Sequence, residues 1–94
     1  MTEDNRPVLG GCFRFVDEQG IPFDFLVDRL DQHGMMPDWL DFYRDAMKKG
    51  WRHDRTMSRL REVVGDVYGP EFREEWEKRM LHVLSQLRLG LPEP

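Results

Sequence analysis

Glycine and proline cut this chain into pieces of helical length, and that punctuation limits its folds more than any other feature. Gly34, Gly50 and the dipeptide of Gly69 with Pro70 separate segments whose apolar residues recur at three- and four-residue steps. Glycine just past a helix end and proline at a helix start are the usual stop and start signals. Before Gly34, Leu26, Val27 and Leu30 share one helical face. Trp39, Leu40, Tyr43, Ala46 and Met47 form the next stripe, opened by Pro37 and Asp38. Lys48 and Lys49 close it, suited to the negative end of the helix dipole, and Gly50 ends it. A third stripe follows Asp54, which has the chemistry of an N-cap: Met57, Leu60, Val63, Val64, Val67 and Tyr68. The fourth runs from Pro70 to about Leu89 through Phe72, Trp76, Met80, Val83, Leu84 and Leu87. The expected fold is mainly α, a compact bundle of four short helices joined by tight turns.

The residues ahead of the first stripe read differently. In CFRFVDEQGIPF, Phe13 and Phe15 alternate with Arg14, and DEQG has turn chemistry. A small N-terminal β-hairpin or extended arm is expected, 12–16 with 21–25, and Pro22 would keep its second strand at an edge. The competing reading starts a helix at Pro22. With 94 residues there is room for one domain, assigned to 12–89, with a flexible lead at 1–11 and a flexible tail at 90–94. Six Phe, three Trp and two Tyr supply the large side chains that a small core needs.

Several chemistries find no support in the residues. The single cysteine, Cys12, excludes an internal disulfide framework and reads as a small buried hydrophobe beside Phe13. It also favours a reducing, cytoplasmic setting. No apolar run nears the roughly 20 residues that cross a bilayer, and the acidic start has no apolar signal-peptide core, so no membrane role is expected. His33, His53 and His82 lack metal-ligand spacing with one another or with Cys12, and Asp31 with His33 would diverge on a helix. Ser58 and Ser85 lie in no nucleophile turn, and no glycine-rich phosphate loop occurs. No enzyme activity, cofactor, metal or small-molecule substrate is expected.

Charge is where the chain is uneven. From 17 to 45, eight acids face only Arg29 and Arg44, a net of -6. From 48 to 61, six bases face only Asp54, a net of +5. Asp24, Asp28 and Asp31 are spaced to line one helix face, as are Asp38, Asp41 and Asp45. Like charges at such steps repel, and aspartate is a poor mid-helix residue. An acidic face made from these six is therefore expected to meet a protein partner with a basic surface. The forms considered are an inhibitor that mimics DNA, an assembly factor, or self-association with the chain's own basic stretch. The alternative is DNA binding through Lys48, Lys49, Trp51, Arg52, Arg55 and Arg59, basic residues beside an aromatic. Ala46 with Gly50 four residues later is similar to the turn of the bacterial helix-turn-helix pattern, from which Asp45, Lys49, Thr56 and Arg59 depart. Trp51 and the adjacent Met35 and Met36 are the expected exposed apolar contacts.

Overall fold

The computed structural model of the protein describes residues 7–88. Short apolar segments, each able to bury one face only, fold into a mainly α globule of five helices, four of them longer than one or two turns. A two-residue strand, Val8–Leu9 (β1), leads into Cys12–Asp17 (α1) and Phe23–Gln32 (α2). A second short strand, Met36–Pro37 (β2), precedes Trp39–Lys48 (α3), His53–Tyr68 (α4) and Pro70–Gln86 (α5). The strands pair in parallel, Val8 with Met36 and Leu9 with Pro37.

The region expected to form a hairpin, 12–16 with 21–25, is instead two helices. Cys12 and Phe13 are buried and Val16 packs against the core, so the inward positions follow helical rather than alternating spacing. Pro22 takes φ -58° as the residue capping α2, the competing reading of that proline. The β pairing belongs to residues 8–9, in the segment read as a lead. Calls on 1–6 and 89–94 lie outside the described residues.

Local chemistry sets the other boundaries. Pro37 ends β2 rather than opening a helix. The side chain of Asp38 caps α3, its Oδ1 accepting the Asp41 N–H at 3.1 Å. The third helix begins before the expected Asp54: Arg52 is its cap residue, and Thr56 returns its hydroxyl to the Arg52 carbonyl at 2.8 Å. Gly69, at φ 97°, both ends α4 and starts α5, a conformation that a side chain would strain. The resulting hairpin of α4 and α5 is tied by Arg61 to Glu77 at 2.7 Å.

The core is threaded by aromatic rings from every helix and the α3–α4 turn. Phe42 lies at its centre, stacked on Phe23 at 4.4 Å and edge-on to Phe13 at 5.2 Å. Trp39 continues the series to Trp76 at 5.7 Å and to Tyr68 at 6.3 Å. Phe13 carries it outward to Trp51 at 5.3 Å. Ring pairs in such offset and edge geometries add about 0.5–1.5 kcal/mol beyond burial, which helps a domain with little area to bury.

Candidate functional site

The two acidic stripes have different surroundings. On α3, Asp38 and Asp41 turn toward the N-terminal segment. Asp41 accepts the Gly11 N–H at 2.8 Å, fixing the start of α1, while Asp38 caps its own helix. Asp45 is half-buried and lines a shallow depression with Phe13, Arg14, Glu18, Lys48 and Lys49. On α2, Asp24 and Asp28 are exposed and Asp31 is half-buried. The Asp28 carboxylate accepts the Gln32 amide at 2.9 Å.

Between Asp24 and Asp28 lies a residue that the sequence reading placed in a strand. Phe25 is 57% exposed, on the side of α2 opposite the buried Phe23, Val27 and Leu30. A large apolar ring left mostly in water forgoes much of the burial free energy that its neighbours gain. With Arg29 and Gln32 also exposed, the outer face of α2 is an aromatic knob with Asp24 and Asp28 along one flank and Arg29 along the other. The helical phase gives it away: once α2 starts after Pro22, inward Val27 and Leu30 force Phe25 outward.

The basic stretch is also divided by the fold. Lys49 reaches Asp17 at 3.3 Å, and Arg59 pairs with Glu62 at 2.7 Å. Lys48 and Arg52 are exposed. The Arg55 guanidinium lies 4.0 Å over the centre of the Trp51 ring, a cation–π contact. Trp51 is only half-exposed, because it packs on Phe13 and Phe42. Of the expected apolar contacts, Met36 is fully buried and Met35 half-buried. Trp51, Arg55, Ser58, Arg59 and Glu62 border an open hollow of about 290 Å³. That is at the lower end of the roughly 300–1,000 Å³ of ordinary ligand pockets, and it is not enclosed.

Two titratable groups are held by the core. Burial raises the Tyr43 phenol above its ordinary value, and its hydroxyl lies 2.8 Å from His53 Nδ1, joining α3 to the start of α4. Burial, then the Asp41 and Asp38 carboxylates, pushes the Cys12 thiol up to about 11, and its Sγ lies 3.3 Å from the Leu9 carbonyl. The rise from 9.0 lowers the thiolate fraction at pH 8 about a hundredfold. Iodoacetamide at pH 8 is therefore expected to alkylate the folded protein at least a hundredfold more slowly than the urea-unfolded chain, and comparable rates would contradict the buried placement. The folded value is the higher one, so this group's contribution to stability is complete below pH 9 and fades as pH rises through about 11.

Among the described residues, no three His, Cys, Asp or Glu side chains converge as a metal site, and no helix is long and apolar enough to cross a membrane. Comparison with protein-family models, curated proteins and solved structures found no match.

Proposed function

We propose that this protein is a non-catalytic interaction module of the cytoplasm that docks a basic protein partner on the outer face of α2. The observation that carries this reading is Phe25, 57% exposed beside the exposed carboxylates of Asp24 and Asp28. An aromatic anchor with charges around it is the composition of an interface hot spot: the ring supplies affinity, and the carboxylates select and steer a basic partner. Asp31 extends the charged edge. Asp38, committed to capping α3, and Asp41, committed to holding the N-terminal segment, contribute little to such a face, and Asp45 borders a separate depression. The non-catalytic part of the reading is supported by hollows that are open, with Arg14 paired to Glu18 in one and Arg59 to Glu62 in the other.

DNA binding by the α3–α4 corner is the second reading, favoured by the joint itself. Gly50 turns the chain at φ 93°, Ala46 is fully buried at the junction, and Thr56, a departure from the helix-turn-helix pattern by residue type, is fully buried. Lys48, Arg52 and Arg55 would then meet phosphates. Against it stand the engagement of Lys49 and Arg59 with their own carboxylates and the acidity of the whole chain.

One capture experiment weighs both. The protein is immobilised and exposed to nuclease-treated and untreated lysate of its native cell, beside a D24N/F25A/D28N variant and a K48A/R52A/R55A variant. The first reading expects one protein, retained after nuclease treatment and released by salt, to lose at least tenfold in recovery with the α2 variant alone. Loss of binding only with the second variant, or only after nuclease, would replace the first reading with the DNA one.

A further inference from the structure

The hollow beside Trp51 and the knob on α2 are complementary. The hollow is open rather than enclosed, and an aromatic side chain has room to enter it. Its rim carries Arg55, Arg59 and Glu62, a net of +1; the knob carries Asp24 and Asp28 along one flank of Phe25 and Arg29 along the other, a net of -1. The guanidinium of Arg55 already lies over the Trp51 ring. A planar guanidinium has two faces, and a second ring laid on the outer one makes a sandwich that Lys could not form. Within one molecule these groups are not joined by any ion pair found among the described residues: Arg59 pairs with Glu62 and Arg55 with the Trp51 ring. We propose that the partner of the α2 face is a second copy of this chain, the Phe25 knob of one seating in the Trp51–Arg55–Arg59 hollow of the next.

The proposal rests on the reading of α2 as a docking face and names its occupant. Knob and hollow are different surfaces, so the contact is heterologous. Repetition gives open chains, or rings where the rotation closes, rather than a two-fold dimer. One ring with four flanking charges falls short of the area of a stable complex, so the contact belongs to the weak, transient class, with dissociation constants on the order of 10⁻⁴ M. Glu62, on the same rim, is held by Arg59 and would otherwise oppose the incoming carboxylates.

Charge exchange tests this directly. Sedimentation velocity is run from micromolar to millimolar protein on wild type, on D24K/D28K, on R55E/R59E, and on an equimolar mixture of the two variants, with circular dichroism confirming that each is folded. The proposal expects mass to rise with concentration in wild type and to fall back when salt is raised. Each variant alone should stay monomeric, and the mixture should regain association because the altered knob of one meets the oppositely altered hollow of the other, and the two unaltered surfaces also match. F25A should weaken association by more than tenfold. A wild type that is monomeric throughout overturns self-assembly, as does association that neither variant changes. A monomeric wild type that still captures another protein through Asp24, Phe25 and Asp28 would leave the docking face standing with a different occupant. Loss of both results would remove the face as well.

Discussion

Replacing Phe42 with alanine should leave the protein barely folded at physiological temperature. The ring is fully buried, stacked on Phe23 and met edge-on by Phe13 and Trp51, so its removal opens a cavity where α1, α2 and α3 converge. Phe→Ala substitutions in cores cost about 3–5 kcal/mol. A domain of this size has roughly 5–15 kcal/mol to lose. At about 4–8 °C per kcal/mol, the melting temperature should fall by at least 12 °C. A Phe42→Leu variant keeps most of the volume, and its loss should be roughly half as large or less. Thermal melts followed by circular dichroism would measure both. An alanine variant that melts within a few degrees of wild type would mean that the aromatic series does not hold the helices together.

The second large effect separates acids that build the fold from acids left on its surface. Asp41→Ala should destabilise by about 1.5–3 kcal/mol, the range for a hydrogen bond to a charged group, because it frees the Gly11 N–H that starts α1. Asp24→Ala and Asp28→Ala should stay within about 0.5 kcal/mol, as exposed substitutions do. Denaturant melts of the three variants read the difference, and hydrogen exchange at the Gly11 amide should quicken in the Asp41 variant only. Equal small effects at all three positions would return Asp41 to the charged surface. The six aspartates are alike in residue type, and each set of three, 24/28/31 and 38/41/45, recurs at steps of about one helical turn. What distinguishes them is the N-terminal segment lying along α3, a contact between residues thirty positions apart in the chain.

That contrast marks how far the sequence could be read. The four longer helices were legible because their stops are local: Gly34, Gly50 and Gly69 each act through their own backbone. Trp39, Tyr43, Ala46, Leu60, Val64, Trp76 and Met80 were legible as core from their spacing. Phe42 was not, because the stripe assumed that α3 packs on one side, whereas α1 and α2 widen the buried arc. Val83 and Leu87 lie on the expected face of α5 yet remain partly exposed, since periodicity gives direction without saying where the neighbouring helix stops. At the N-terminus the alternation of Phe13, Arg14 and Phe15 suggested a strand, but a two-turn helix satisfies it once Cys12, Phe13 and Val16 find apolar neighbours. The charge asymmetry was plain in the sequence. Its division into paired, capping and exposed groups was not, because Lys49 with Asp17 is a tertiary contact.

The docking face on α2 is tested most directly by photocrosslinking from its centre. Benzoylphenylalanine placed at position 25 keeps an aromatic knob there and reports by mass spectrometry what lies against it in the native cell, with the same group at exposed Ser85 on α5 as the control. The expected result is one dominant adduct from position 25 to a basic segment of another chain, suppressed by D24N/D28N and absent from position 85. Residues 51–62 of a second copy are the segment that self-assembly requires. Adducts from position 25 no more frequent or specific than those from position 85 would contradict the face altogether.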